Sequence, residues 1–223
     1  MNMTYPNAAN GVKKMFKAQI LAILGTVFLA FAAIFSILLN GSEKAAAAND
    51  SDSFLAVMII VAFVAFTAIT IAAAIMHLIG LGRAGRDERA FRTALFAILV
   101  NMVFIVLGTV FSGLKNGTMS SLMNLLSTIM DMIAFLYVIQ GIRNLAVELG
   151  NDKINKMGEN IFKIILAVLV LEFIANIIEL VFGGQVSNTV AGVVALLAAI
   201  LSFVQYIVYL IFLARGVKML TNS

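Results

Sequence analysis

Residues 55–80 read LAVMIIVAFVAFTAITIAAAIMHLIG, without a single Asp, Glu, Lys or Arg. A helix rises about 1.5 Å per residue, so this stretch is long enough to cross the roughly 30 Å hydrocarbon core of a bilayer. The whole chain has the same character, since 62% of its 223 residues are hydrophobic and only 12% are charged. Soluble domains carry about 25% charged residues, and a soluble fold of this composition would expose an apolar surface. The sequence therefore predicts an all-α integral membrane protein in a lipid bilayer.

Five further stretches are similarly apolar, and they are continuous rather than alternating, which favours helices over a β-barrel. Together they predict six transmembrane helices at about residues 18–39, 55–80, 94–114, 122–142, 164–182 and 190–214. The first stretch imitates a cleavable signal peptide, but it exceeds the typical apolar core of about 7–15 residues, so we expect it to remain. We therefore expect one multi-pass transmembrane domain over residues 1–223.

Basic residues divide unequally between the loops. All 15 Lys and Arg residues except Lys44 and Lys115 fall near the N-terminus, in the second and fourth loops, or near the C-terminus. Short loops rich in Lys and Arg stay in the cytoplasm by the positive-inside rule. The sequence therefore predicts that both termini are cytoplasmic. Because the basic residues lie beside apolar runs, they predict topology rather than a nucleic-acid partner.

The fourth loop also contains a helix boundary. Gly150 and Asn151 predict the end of one helix followed by the N-cap of the next.

An internal repeat relates the helices in pairs. Spans two, four and six each place a ring six residues before an arginine, as His77–Arg83, Tyr137–Arg143 and Tyr209–Arg215. Spans one, three and five each begin near a phenylalanine that is followed by a basic residue, at Phe16, Phe91 and Phe162. The pattern predicts three in–out–in hairpins of the same orientation at about residues 13–83, 88–143 and 159–215.

Each of the three repeated rings precedes its arginine by one to two helical turns, on the side toward the middle of the predicted span. Amphipathic rings at that depth are typical of the aromatic belt at headgroup level, so we predict that His77, Tyr137 and Tyr209 are belt residues. The alternative for His77 is a proton relay.

Small residues mark a predicted helix contact on the first span. Ala18, Ala22, Thr26 and Ala30 recur every four residues. In lipid such a stripe lets two helix backbones approach closely, within the protein or against a second copy.

Two carboxylates lie near the middle of predicted spans. Asp131 precedes Arg143 by 12 residues, which is about 18 Å at the rise of a helix. Glu172 follows Lys163 by nine residues, or about 14 Å. Ionisable groups at this depth are costly and commonly functional.

The repeat adds further polar residues at the same depth. Ten residues after the repeated phenylalanine, the three copies carry Thr26, Asn101 and Glu172. We predict that these three residues and Asp131 form one polar site. No Lys or Arg lies at that depth, so the two acids would be protonated or would hold a cation.

Two functions follow from this pattern. The first is a transporter or channel-like protein for protons or a small cation or solute, with Asp131 and Glu172 binding the ion and Asn101 and Thr26 orienting it. The second is a non-enzymatic accessory or assembly subunit whose helix faces dock other membrane proteins or a second copy.

Enzymatic activity is not expected from the motifs. The chain has no Cys and one His, which excludes thiolate and multi-histidine metal sites. The GLGRAG of residues 80–85 follows an apolar helix, whereas a dinucleotide-binding GxGxxG follows a strand. We therefore expect no enzyme, no cofactor and no resident metal.

Overall fold

The computed structural model of the protein describes residues 4–42, 50–182 and 188–223, with side chains at residues 4–37, 54–168, 170 and 203–223. Six helices make up these parts of the chain: α1 (Pro6–Ser42), α2 (Asp50–Ala84), α3 (Arg89–Gly113), α4 (Gly117–Glu148), α5 (Asp152–Phe182) and α6 (Asn188–Thr221). No strand occurs among the described residues. The prediction of an all-α chain with six helices is confirmed.

Five helices contain a described segment that is long and apolar enough to cross a membrane. These segments are Pro6–Ile37, Phe54–Ala84, Arg89–Gly113, Gly117–Glu148 and Phe203–Thr221. The remaining predicted span, residues 164–182, belongs to α5, but most of its side chains lie outside the described residues. Many large apolar side chains point outward, among them Phe96, which is 69% exposed. Apolar exteriors of this extent are compatible with a polytopic membrane protein whose solvent is lipid.

The chain divides into two compact units. The smaller unit is Lys14–Gly80, and the larger unit joins Met1–Lys13 to Leu81–Ser223. The smaller unit nearly coincides with the first predicted hairpin, residues 13–83. The threefold repeat and the single domain over the whole chain stay predictions.

Within the smaller unit, α1 and α2 meet at Gly25. A Cβ atom at this position would lie 3.4 Å from both Ile69 Cγ2 and Thr70 Oγ1. The missing side chain therefore lets α2 lie directly against the backbone of α1.

The residues of the predicted small-residue stripe on α1 differ in exposure. Ala18 is buried, Ala22 is half-buried, and Thr26 and Ala30 are exposed. The exposed part of the stripe leaves a face open to a second copy, and the role of the stripe in helix contact stays a prediction.

In the larger unit, α3 and α4 form a closely packed antiparallel hairpin. Buried residues recur every three or four positions in the first half of α3, at Ala90, Ala94, Ala97 and Asn101. Gly108, two turns after Asn101, is also buried. Such spacing places them on one face of the helix. The narrow side chains on this face let the two helices approach closely.

Two glycines lie at tight contacts of this hairpin. A Cβ atom on Gly141 would lie 2.9 Å from the ring of Phe91, which is fully buried. A Cβ atom on Gly108 would lie 3.0 Å from Asn124 Oδ1. Both distances are shorter than ordinary van der Waals contact, so a larger residue would displace the Phe91 ring at Gly141 or the Asn124 side chain at Gly108.

The turns at both ends of α4 follow from local chemistry. Asn116 Oδ1 accepts a hydrogen bond from Met119 N at 3.2 Å and caps the start of α4. Gly150 ends the helix in the left-handed region, with φ 64°. Asn151 Oδ1 then accepts from Ile154 N at 3.2 Å and caps α5. The helix boundary predicted at Gly150 and Asn151 is confirmed.

The remaining helices of the larger unit pack in chain order, α5 on α4 and α6 on α5. Tyr209 of α6 is buried, and its ring centroid lies 4.7 Å from that of Phe135 on α4. The prediction that Tyr209 is a belt residue is therefore wrong, because its ring packs inside the helix bundle. Tyr137 is half-buried, and its role in a belt stays a prediction.

The N-terminal segment is attached to the turn between α2 and α3. Asp87 Oδ1 accepts a hydrogen bond from Asn7 Nδ2 at 2.9 Å, and Asp87 Oδ2 accepts from the backbone N–H of Ala8 at 2.8 Å. A carboxylate here satisfies a free N–H in the first turn of α1 and complements the helix dipole.

Two further hydrogen bonds bring other parts of the chain to the same end. Tyr5 donates its hydroxyl proton to Glu148 Oε2 at 2.5 Å, and this hydrogen bond raises the pKa of Tyr5. Thr4 Oγ1 donates to the carbonyl oxygen of Ser223 at 3.3 Å. One end of the larger unit therefore contains the N-terminal segment, the α2–α3 turn, the α4–α5 turn and the end of α6. It is called here the basic end.

The close contact of α3 and α4 predicts a specific effect of an added methyl group. We expect Gly141→Ala to lower the free energy of unfolding by about 1–3 kcal/mol, because the methyl overlaps the buried ring of Phe91. Thermal unfolding of the detergent-purified protein measures this change. Gly113→Ala is the matched control, since a Cβ atom there has nothing within 4 Å. Equal losses in the two variants would contradict the packing described.

Candidate functional site

Three polar side chains connect α3 and α4 near the middle of their hairpin. Ser127 Oγ donates a hydrogen bond to Asn101 Oδ1 at 2.5 Å, and Asn101 Nδ2 donates to Asp131 Oδ1 at 2.5 Å. Asn101 is only 5% exposed, and its amide acts as acceptor and donor at once. Asp131, in contrast, is exposed. The buried amide therefore holds an accessible carboxylate, and these three residues are called here the Asp131 site.

The packing of the hairpin explains why these residues meet. Ser127 and Asp131 are four residues apart, so they lie on the same face of α4 one turn from each other. Asn101 lies on the buried face of α3, between the contacts at Gly108 and Phe91. In an antiparallel pair this position lies opposite the middle of α4.

The structure brings together two of the four predicted site residues, Asn101 and Asp131. Thr26 belongs to the smaller unit, where it is exposed and donates its hydroxyl proton to the carbonyl oxygen of Ile23 at 2.7 Å. The side chain of Glu172 lies outside the described residues. A site that contains all four residues stays a prediction.

Sequence reasoning missed the two serines of the hairpin. Besides Ser127, Ser120 Oγ donates to the carbonyl oxygen of Gly108 at 3.2 Å. Ser120, Ser127 and Asp131 are separated by seven and four residues, which is the spacing of one helix face. This pattern on α4 could have indicated a polar seam facing α3.

The Asp131 carboxylate is only partly satisfied by the described residues. Asn101 donates to its Oδ1 atom, and no described residue donates to its Oδ2 atom. The ion pair found among the described residues is Lys163–Glu159 at 2.7 Å, on the exposed part of α5. A carboxylate without a cationic partner in hydrocarbon needs a proton, a cation or a polar group from another molecule.

Other charged and polar groups are accounted for more simply. The hydrogen bond from Lys163 lowers the pKa of Glu159, as expected of an exposed pair on adjacent helical turns. His77 Nδ1 is buried and has no hydrogen-bond partner among the described residues. Its place in a belt or in a proton relay stays a prediction.

Comparison of the chain with known protein families, with curated proteins and with solved structures finds no match. No residue role is therefore transferred from another protein, and the function is inferred from the residues and geometry of this chain.

The bridging amide predicts a measurable contribution to stability. We expect Asn101→Leu to lower the free energy of unfolding by about 0.6–1.7 kcal/mol, because Ser127 and Asp131 lose their shared partner; these limits are the average and the largest value for interhelical hydrogen bonds in membranes. Unfolding in a mixed-micelle titration followed by circular dichroism measures the change. Thr109→Val is the control, since Thr109 is exposed and donates within its own helix to the Ile105 carbonyl oxygen at 2.9 Å. A loss as large in the control would contradict the bridging role.

Proposed function

We propose that this protein is a multi-pass membrane protein that carries protons or a small cation across a bilayer, with Asp131 as the ion-binding residue. The observation that supports the proposal is an exposed carboxylate held by the buried Asn101 amide in the middle of an apolar hairpin. Hydrogen bonding to Oδ1 orients the carboxylate and leaves Oδ2 to take the proton or cation.

The energetics of burial support this assignment. Asp131 precedes Arg143 by 12 residues, which is about 18 Å into the membrane along the helix. A charged side chain at the centre of a bilayer costs about 2.5–3.5 kcal/mol. A mean interhelical hydrogen bond of about 0.6 kcal/mol does not offset that cost. Binding of a proton or cation removes the uncompensated charge.

Glu172 is the proposed second carboxylate of the path. It lies at a similar depth in the predicted fifth span, and α5 packs on α4, the helix that carries Asp131. Thr26 is left out of the proposed path because its hydroxyl is engaged within its own helix.

The proposed topology places both termini in the cytoplasm and repeats an in–out–in hairpin three times. The basic end supports this arrangement, since it gathers the N-terminal segment, both turns rich in basic residues and the end of α6. Lys115 lies in the turn between α3 and α4, which is the opposite end of these helices from the α2–α3 and α4–α5 turns.

The absence of cysteine allows a direct test of the topology. We expect Lys115→Cys to react with a membrane-impermeant maleimide on intact cells, and Arg86→Cys to react only after the membrane is opened. Both positions are exposed turn residues, so they serve as controls for each other. The reverse pattern would contradict the positive-inside assignment.

The ion-carrying role is tested by flux into proteoliposomes that contain a pH-sensitive or cation-sensitive dye. We expect Asp131→Asn to reduce the rate by about tenfold or more, because the amide cannot bind a proton or balance a cation. Asp152→Asn is the matched control, since it removes an exposed carboxylate in the first turn of α5 and should keep the rate within about twofold. Equal flux in both variants and the wild type would overturn the role of Asp131.

The exposure of Asp131 favours one alternative, an accessory subunit in which another membrane protein or a second copy supplies the polar partner. In that case wild type shows no flux of protons or monovalent cations. Asp131→Asn then weakens association with the partner, as measured by co-purification and by light scattering in detergent, while Asp152→Asn does not. This result would replace the transport proposal.

A further inference from the structure

A cavity of about 680 Å³ lies at the basic end of the larger unit, where α4 ends, α5 begins and α6 ends. Three basic side chains line it: Lys153 from the first turn of α5, and Arg215 and Lys218 from the last turns of α6. Asn151 and Asn222 add two side-chain amides to the lining. The cavity therefore presents hydrogen-bond donors from α5, α6, the α4–α5 turn and the segment after α6 to one space.

The basic side chains of this cavity form no ion pair within the described part of the chain. No lining side chain is acidic, and Ser223, which carries the main-chain carboxylate at the end of the given sequence, also lines the cavity. None of the three basic groups has a carboxylate within 4.0 Å, the terminal carboxylate included, and Lys153 and Lys218 make no side-chain hydrogen bond to another described residue. Three like charges around one cavity repel each other, and an anion between them would remove that repulsion.

One basic group is also held in place. Arg215 Nη1 donates to the sulfur of Met157 at 3.4 Å across the cavity wall. This contact leaves the other guanidinium N–H groups free to bind oxygens, and a guanidinium matches two phosphate oxygens at once.

The floor of the cavity is apolar. Leu149, Ile154, Met157 and Met219 contribute to its lining, and Ile154 and Met219 are buried. A site with a cationic rim and an apolar floor fits a ligand that joins a phosphate to an apolar or glycerol-like group.

We infer that this cavity binds a phosphate-bearing ligand, with Arg215, Lys153 and Lys218 as the groups that recognise the phosphate. The source is the headgroup of an anionic phospholipid or a free phosphate compound from the cytoplasm. Basic pockets between transmembrane helices on the cytoplasmic side bind lipid headgroups by this chemistry. The inference rests on the proposed membrane position of the basic end and is independent of ion transport by Asp131.

The test uses the full chain in a nonionic detergent, with three probes. Short-chain phosphatidylglycerol, short-chain phosphatidylcholine and inorganic phosphate are titrated against the protein, and binding is followed by calorimetry and by native mass spectrometry. The triple variant Lys153→Gln, Arg215→Gln, Lys218→Gln removes the cationic rim. The matched control is Lys17→Gln, Arg86→Gln, Lys156→Gln, which removes the same charge from exposed positions that do not line the cavity.

We expect wild type to bind phosphatidylglycerol, and the triple variant to bind it about tenfold or more weakly, while the control stays within about twofold. Stronger binding of phosphatidylglycerol than of inorganic phosphate assigns the site to a lipid headgroup, and the opposite order assigns it to a free phosphate compound. Equal affinity of the triple variant and the control would overturn the inference, as would tight binding of phosphatidylcholine that neither variant changes.

A folding defect in the triple variant would not leave the inference open. Lys153→Gln with Lys218→Gln changes only exposed side chains that make no hydrogen bond or ion pair to another described residue. This double variant keeps Arg215 and its contact to Met157, so we expect its fold to be preserved. We expect it to weaken phosphatidylglycerol binding by about threefold to tenfold relative to wild type, and unchanged binding would overturn the inference.

Discussion

The close contact of α3 and α4 is the interaction on which the larger unit depends. Glycine at 108 and 141 removes the side chains that would keep the two helices apart. At this separation the short side chain of Asn101 on α3 reaches both Ser127 and Asp131 on α4. In lipid, where apolar surfaces gain little from association, such backbone approach and interhelical hydrogen bonding supply the packing energy. The polar site is therefore a consequence of small residues at the seam.

The middle of this hairpin and the basic end of the larger unit have different chemistry. In the middle of the hairpin, Asp131 offers a carboxylate without a cationic partner among the described residues, surrounded by apolar helix surface. At the basic end, Asp87 and Glu148 hold the N-terminal segment in place, while Lys153, Arg215 and Lys218 surround a cavity without acidic side chains. The proposed anion site and the proposed ion-binding carboxylate use different residues. Each is therefore open to a test that leaves the other unchanged.

Local sequence patterns were sufficient to predict features that depend on a single helix. Apolar runs predicted six helices, and Gly150 followed by Asn151 predicted a helix boundary that the structure confirms. Predictions that needed a neighbouring helix were less reliable. Tyr209 has the spacing of a belt residue, yet its ring packs on Phe135 inside the bundle. Burial of a ring depends on which helix lies beside it, and periodicity within one helix carries no such information.

The sequence by itself determined the helical character, the apolar exterior and the uneven distribution of basic residues, because these properties follow from composition and from the length of each run. Only the tertiary structure decided which polar groups meet. Asn101 and Asp131 are 30 residues apart in the chain and become neighbours through the register of two antiparallel helices. The cavity at the basic end likewise joins residues from α5 and α6. Such contacts depend on the rotation and separation of packed helices, which small residues at the seam set and which no single stretch of sequence specifies.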